Sequence, residues 1–102
     1  MNEKNASKPT VGEAKPKFRL GQTLIAPNAM KTLVPADVWH ALRRHAKGDW
    51  GDCCQEDKAE NEFSLDKYLR LFSVCHDSKG TRFWIITETD RSATTVLLPK
   101  DY

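Results

Sequence analysis

The C-terminal third of the sequence alternates between strand-forming segments and short turns. Residues 68–76, 81–88 and 93–99 read YLRLFSVCH, TRFWIITE and ATTVLLP, and each is rich in β-branched or aromatic residues. The intervening DSKG and TDRS contain residue types that form tight turns. We therefore predict a three-stranded antiparallel meander. Because its apolar runs WII and VLL are continuous, we expect helices to cover at least one face of the sheet.

The N-terminal part of the chain divides into a polar tail and the start of a folded unit. Residues 1–17 are polar, contain two prolines and hold few apolar residues, which predicts a disordered tail. Residues 18–27 read FRLGQTLIAP, which suits a short first strand ending at Pro27. We predict a single α+β domain over residues 18–102, since a chain of 102 residues is long enough for one domain.

Two or three helices are predicted between this strand and the meander. Asn28 is a suitable cap for a short first helix. Pro35 suits the first position of a second helix, which Gly48 ends. The apolar spacing within it predicts a buried face made of Val38, Leu42 and His45, with Trp39 and Ala46 beside them. A third helix is predicted from Asp52, as its cap, to about residue 65.

Composition excludes several classes of protein. The formal net charge is +2, and no dense basic stripe of the kind that nucleic-acid binders carry is present, so charge does not indicate a nucleic-acid partner. No apolar run is long enough to span a membrane and no secretory leader is recognisable, so we expect a cytoplasmic protein without a membrane partner. The three cysteines, two of them adjacent, favour reduced thiols over a disulfide framework.

An acidic segment lies in the middle of the sequence. Residues 48–63 read GDWGDCCQEDKAENEF and hold six acids with one lysine. Asp49, Asp52, Glu56 and Asp57 have the ligand type that hard divalent cations prefer. Acids are also common at the start of helices, where they match the dipole. We favour a solvated helix start and predict no metal and no cofactor, while keeping these four acids as candidate binding residues.

The cysteines and histidines do not have the spacing of a zinc site. Cys53 and Cys54 are adjacent, so on a helix their side chains point in different directions. A thiol nucleophile would need a histidine partner, for which His45 and His76 are the candidates. We predict buried, unreactive cysteines and a structural, hydrogen-bonded His45. No catalytic residue is predicted.

The turn at residues 87–92, TETDRS, contributes two further candidate binding residues, Asp90 and Arg91. An arginine in a tight turn can form a two-pronged contact with a carboxylate. We predict that Arg91, or else Arg82, pairs with a carboxylate of the acidic segment, namely one of Asp49, Asp52 or Glu56.

Three tryptophans complete the set of candidates. Trp39 and Trp84 are predicted to lie in the core. Trp50 lies between Gly48 and Gly51 and is either a plug over the core or an exposed anchor for a partner. We favour the plug, and we include Trp50 among the candidate binding residues.

The combination of GDWGD, ED followed by NEF, and WIITETDRSATTVLLPKDY resembles a family of small proteobacterial proteins that are often encoded on plasmids or integrated mobile elements. The resemblance covers about residues 18–102. It implies a bacterial accessory protein, and it implies that the acidic segment and the TETDRS turn belong to the family's pattern. No catalytic assignment follows from it.

These observations predict a small cytoplasmic, non-catalytic protein-interaction module. The acidic segment with Trp50, or an exposed edge of the sheet, would contact a protein partner. The alternative is a nucleic-acid-directed protein of three possible kinds. These are a metal-dependent nuclease-like enzyme using Asp49, Asp52 and Glu56, an antirestriction-type inhibitor, or a small toxin using basic residues such as Arg43, Arg44, Arg70 and Arg82.

Overall fold

The structure is a computed structural model that describes residues 15–102. The predicted tail, residues 1–17, lies outside the described residues except for its last three positions. There the backbone N–H of Lys17 donates to the carbonyl of Ala46 over 2.7 Å. The first described residues therefore lie against the end of a helix.

The fold is α+β, as predicted. In chain order the elements are β1 (Gln22–Ile25), α1 (Pro27–Thr32), α2 (Pro35–Ala46), α3 (Gln55–Lys67), β2 (Leu71–His76), β3 (Arg82–Thr87), β4 (Ala93–Leu97) and a 3-10 turn (Pro99–Asp101). Among residues 15–102, every helix is too short or too polar to cross a membrane.

The four strands form one mixed sheet in the order β1-β4-β3-β2. The predicted meander is present, because β2 pairs with β3 and β3 with β4, both antiparallel. The sheet is larger than the meander, since β1 adds to β4 in parallel, with Gln22 donating to the Ser92 carbonyl at 2.9 Å. This long-range pairing places β1 and β2 at the two edges of the sheet.

The main core lies between the helices and one face of the sheet. The strands contribute Phe83 and Ile85 of β3 with Val96 of β4, each fully buried. Buried residues of α1 and α2, and Leu33 between these helices, pack against them; the full set is Ala29, Leu33, Val38, Ala41 and Leu42. Each large apolar side chain buried in this way stabilises the fold by about 1.5–3 kcal/mol.

The predicted helix boundaries are right for α2 and wrong for its neighbours. Pro35 is the first residue of α2, and Gly48 follows its end with φ +83°. Asn28 does not cap α1, which begins at Pro27, and its amide donates to Asp101 instead. Asp52 does not cap α3, which begins at Gln55, because its carboxylate is bonded to His76 at 2.7 Å.

The tryptophans divide differently from the prediction. Trp50 is 3% exposed and is therefore the predicted plug. Trp39 is 66% exposed, so its placement in the core was wrong. The buried face of α2 is centred on Val38, Leu42 and His45, and Trp39 projects beside it to the surface. Trp84 is only partly buried, on the other face of the sheet, where it packs edge-on against Phe72.

Gly51 forms an isolated parallel bridge with Val74 of β2, with φ +71°. A Cβ at this position would lie 2.1 Å from the carbonyl oxygen of Val74. We expect Gly51→Ala to lower the free energy of unfolding by more than about 2 kcal/mol, because it adds a steric clash to a left-handed backbone. Urea denaturation monitored by tryptophan fluorescence measures the loss.

Gly80→Ala is the matched control. Gly80 has φ +86°, and a Cβ there would have no atom within 4 Å. Its cost should be limited to the backbone term of about 1–2 kcal/mol. Equal losses for the two variants would show that the close approach of residue 51 to β2 is not a constraint on the fold.

Candidate docking site at the open edge of the sheet

The acidic segment closes the β2 edge of the sheet. The N–H of Asp52 donates to the Val74 carbonyl at 2.7 Å, and the N–H of Val74 donates to the Trp50 carbonyl at 3.2 Å. The side-chain amide of Asn61 in α3 donates to the Phe72 carbonyl at 2.6 Å and accepts from the Phe72 N–H at 3.0 Å. The outward backbone groups of Phe72 and Val74 are thus all bonded, so the middle of this edge is not available for pairing with another strand.

The predicted site acids have separate partners and do not converge. Asp49 accepts from Arg44 at 2.9 Å and from the Gly51 N–H at 3.1 Å. The hydrogen bond from Arg44 lowers the pKa of the Asp49 carboxyl. Asp52 contacts His76, while Glu56 and Asp57 lie in the exposed first turn of α3. Within residues 15–102, no three His, Cys, Asp or Glu side chains are grouped so that they could hold a metal ion.

Trp50 is held by an acid that was not among the candidates. Its indole Nε1 donates to Glu62 of α3 at 2.8 Å, and its ring stacks on Phe18 with centroids 6.2 Å apart. The tryptophan therefore joins the start of the described chain to α3. This contact is internal, so it leaves no free anchor for a partner.

Arg91 binds backbone carbonyls, and the predicted pairing with a carboxylate was wrong. Its guanidinium donates to the carbonyl of Ser64 at 2.9 Å and to that of Leu69 at 2.7 Å, as well as to two carbonyls of its own turn. The last carbonyls of a helix carry partial negative charge and lack partners within the helix, so a buried cation can satisfy them. Arg91 thus fixes the end of α3 to the β3–β4 turn.

Asp90 has a local role in the same turn. Its carboxylate accepts from the Ser92 N–H at 3.0 Å, an arrangement common in turns, and the hydrogen bonds from Ser92 lower its pKa. Arg82 lies exposed at the start of β3. Among residues 15–102, no ion pair joins Arg82 to Asp49, Asp52 or Glu56, so this predicted alternative was also wrong.

His45 lies in a buried chain of polar side chains. Its Nδ1 is 2.6 Å from the Ser73 hydroxyl, and its Nε2 is 2.9 Å from the Thr87 hydroxyl. Thr87 is in turn 2.8 Å from Thr94, whose hydroxyl donates to the Leu20 carbonyl at 2.7 Å. The predicted structural histidine is confirmed, and it links α2 to three strands and to the segment before β1.

The direction of this chain fixes the tautomer of His45. Thr94 has one hydroxyl proton, which it donates to Leu20, so it must accept from Thr87. Thr87 has then used its own proton and must accept from His45 Nε2–H. The remaining nitrogen, Nδ1, accepts from Ser73. Burial lowers the pKa of His45 to about 3, with the charge of Arg91 acting in the same direction.

The cysteines are unreactive where they are buried. Burial raises the pKa of Cys53, and it raises that of Cys75 to about 11. His45 has both ring nitrogens bonded to hydroxyls, so it is not available as a base for a thiol. All three cysteines are free, and the predicted burial is right for Cys53 and Cys75 but wrong for Cys54, which is exposed.

Within residues 15–102, nothing pairs with the outer side of β1, which is therefore the open edge of the sheet. Gln22 and Ala26 direct their N–H groups to β4, with distances of 2.9 Å to the carbonyls of Ser92 and Val96. Because backbone groups alternate along a strand, those of Thr23 and Ile25 point outward. Within residues 15–102, β4 is the only strand that pairs with β1.

An apolar groove of about 360 Å³ lies beside this open edge. Its floor reaches core residues of the helices, and its rim carries Trp39 and Met30, each 66% exposed. The groove is lined by Thr23, Ile25, Ala29, Met30, Leu33, Pro35, Val38, Trp39 and Leu42. A second recess continues from Thr23 toward Phe18 and Ala46. The open strand and the groove together form the candidate docking site.

Sequence reasoning missed the side chains that define this site. Trp39 was assigned to the core, because a large apolar residue next to a buried stripe is usually buried with it. The sequence does contain a sign that Trp39 is exposed. Arg43 lies one turn after it on the same side of α2, away from the buried stripe. An exposed sheet edge was predicted only in general terms.

No protein-family model matches the sequence, and comparison with curated proteins and with solved structures gives no significant match. The candidate site is therefore defined by its own geometry.

The buried His45 predicts how stability depends on pH. The folded protein holds His45 neutral down to about pH 3, whereas the unfolded chain binds a proton near its ordinary pKa of 6.5. Stability is therefore complete above pH 6.5 and is lost as the pH falls below it. Between pH 6.5 and about pH 5 this group alone should lower the free energy of unfolding by about 2 kcal/mol.

Urea denaturation at pH 7, 6 and 5 measures this loss. Nitrogen-15 NMR of the ring should show the neutral Nε2–H tautomer throughout. His40→Gln, on the exposed surface of α2, is the control and should leave the contribution of His45 unchanged. A ring of His45 that titrates near pH 6.5 in the folded protein would contradict the polar chain.

Proposed function

We propose that this chain is a small, non-catalytic protein-interaction module that binds an extended segment of a partner at the β1 edge. The resemblance to small proteobacterial proteins supports the further proposal that it is a cytoplasmic accessory protein encoded on bacterial plasmids or mobile elements. In this mode of recognition the partner adds a strand to the sheet and places alternate side chains in neighbouring pockets.

The observation that carries this proposal is the difference between the two edges of one sheet. An open edge invites pairing with other chains, and proteins usually cover or charge such edges. Here the β2 edge is covered by the Trp50–Asp52 backbone and by Asn61, while no strand or loop of residues 15–102 covers the outer side of β1. Trp39 and Met30, the large exposed side chains beside that edge, form the type of surface that marks an interaction site.

The energetics fit a reversible complex. Pairing along Thr23 and Ile25 would add a few backbone hydrogen bonds, each with a net contribution of about 0.5–1.5 kcal/mol. Each apolar side chain seated in the groove would add about 1.5–3 kcal/mol. After the cost of ordering a flexible segment, a dissociation constant on the order of micromolar is expected.

A nucleic-acid-directed function is the second candidate, because an exposed tryptophan near basic residues can stack on unpaired bases. The described residues favour it less. Arg44 faces Asp49 at 2.9 Å, and Arg70 faces Glu88 at 3.5 Å, so part of the basic charge is already matched. The carboxylates needed for a metal-dependent nuclease have separate partners, as described above.

Selection of peptides from a random library against the full chain tests the proposal. Selected peptides should shift the amide NMR signals of Thr23, Ile25 and Trp39. Trp39→Ser should weaken their binding at least about tenfold, since exposed aromatic residues dominate docking energetics. It should change the free energy of unfolding by less than about 0.5 kcal/mol, because the side chain is largely exposed.

Phe63→Ser is the matched control. Phe63 is also a large exposed aromatic residue, 54% exposed, but it lies on α3. Its replacement should leave peptide binding unchanged. Signal shifts centred on α3, or equal losses for the two variants, would place the docking surface elsewhere and refute the proposal.

A further inference from the structure

A recess on the outer face of the sheet contains a buried N–H for which residues 15–102 offer no acceptor. We propose that this recess binds a small, uncharged aromatic molecule whose carbonyl oxygen accepts a hydrogen bond from Trp84. The recess lies on the face of β2 and β3 that is turned away from the main core. The inference therefore does not rest on the docking function proposed above for β1.

The sheet brings three apolar side chains together on this face. Phe83 and Ile85 of β3 point into the main core. Because side chains alternate along a strand, Trp84 and Ile86 point to the opposite face. Phe72 of β2 is the register partner of Ile86 and lies beside it. These three residues line a recess of about 290 Å³, together with Arg70, Leu71 and Tyr102. This volume suits one small ring compound, since larger ligands occupy larger pockets.

The indole of Trp84 has a donor without an acceptor. Among residues 15–102, its Nε1 is the one buried side-chain nitrogen or oxygen that lacks a hydrogen-bond partner. Buried polar groups are almost always paired, because leaving one unpaired costs stability. The indole of Trp50 follows this rule, since it donates to Glu62 at 2.8 Å. An indole N–H only donates, so the group that pairs with Trp84 must be an acceptor.

The polar groups at the rim of the recess already have partners. Arg70 donates to the Tyr102 hydroxyl at 3.3 Å, and its guanidinium lies 3.5 Å from the Glu88 carboxylate. The positive charge of Arg70 is therefore matched by Glu88 and gives the recess no preference for an anion. An uncharged oxygen acceptor such as a carbonyl is the better match, because a carboxylate would add a second negative charge beside Glu88.

The rings around Trp84 indicate an aromatic body for the ligand. Phe72 and Tyr102 stand edge-on to the indole, with centroids 5.1 and 5.5 Å away. Phe72 is held in β2, whereas Tyr102 follows the 3-10 turn and is 70% exposed. Tyr102 is thus the ring that can turn aside and open a path to the enclosed Nε1. A ligand ring then takes over its edge-on contact with the indole.

Three probes of similar size test this assignment. Acetophenone has a ring and a carbonyl oxygen, ethylbenzene has the ring alone, and benzoate carries a charged acceptor. Binding to the full chain is followed by nitrogen-15 NMR of the three indole N–H groups. Acetophenone should bind with a dissociation constant on the order of millimolar, as expected for so small a ligand. It should move the Trp84 signal downfield and leave that of Trp50 unchanged, because Trp50 is already bonded to Glu62.

The comparison of the probes isolates the hydrogen bond. Acetophenone should bind about three- to tenfold more tightly than ethylbenzene, which is the effect of one added hydrogen bond. Benzoate should bind no more tightly than acetophenone. These measurements use the wild-type chain, so they do not depend on how well any variant folds.

Variants assign the effect to Trp84. Trp84→Phe keeps a ring and removes the donor, so the preference for acetophenone over ethylbenzene should disappear. Trp39→Phe is the matched control, since it removes an exposed indole N–H on α2 and should leave the preference unchanged. Tyr102→Ala should bind acetophenone at least as tightly as the wild type does. A weaker complex would contradict the path past Tyr102.

The remaining outcomes contradict the site or its ligand class. Equal binding of acetophenone and ethylbenzene would overturn the role of the Trp84 N–H. Tighter binding of benzoate would show that Arg70 selects anions and would refute an uncharged ligand. Shifts of Trp39 alone would place the probes in the groove beside β1. A Trp84 signal that no probe moves would overturn the site, and a cross-peak from its N–H to water would then identify a buried water as the acceptor.

Discussion

The buried imidazole of His45 is the interaction on which the arrangement of this fold depends. One side chain of α2 is hydrogen-bonded to Ser73 of β2 and Thr87 of β3, and through Thr87 and Thr94 the chain reaches the carbonyl of Leu20. A buried polar group without partners is costly, so this chain stabilises one placement of the helix over the sheet. Phe18 and Trp50 pack edge-on against the same ring, with centroids 5.3 and 5.5 Å away. His45 therefore connects α2 with the sheet, with the segment before β1 and with Trp50 of the acidic segment.

The acidic segment has a structural role that follows from this arrangement. Trp50 packs against His45, and the backbone around it reaches β2, where Gly51 permits an approach that a Cβ would block. Asn61 then completes the coverage of β2 from α3. The segment that looked most like an active site is better explained as the part of the chain that closes one edge of the sheet.

Because the β2 edge is covered, β1 is the edge of the sheet that remains for pairing with another chain. The core helices leave an apolar groove next to β1. Among residues 15–102, the uncovered side of β1, this groove and the exposed ring of Trp39 lie together on one side of the molecule. Uncovered strand edges are sites at which other chains can pair.

The elements with strong local signals were predictable. Pro35, Gly48 and the spacing of Val38 and Leu42 define α2, and turn residues separate the three strands of the meander. The errors arose where a side chain had a distant alternative. Asp52 was expected to cap a helix and instead bonds His76, 24 residues later. Arg91 was expected to find a carboxylate and instead satisfies carbonyls at the end of α3, because burial there favours a cation with several acceptors.

The sequence by itself determined the class of fold, the order of its elements, the buried face of α2 and the plug formed by Trp50. These features depend on periodicity, turn chemistry and the tendency of apolar residues to be buried, all of which are determined by residues close together in the sequence. Only the tertiary structure decided that β1 joins β4, that the acidic segment covers β2, and that Trp39 stands at the rim of a groove. Each of these depends on contacts between residues far apart in the chain, and which edge of a sheet stays open is settled only when every other strand and helix has found its partner.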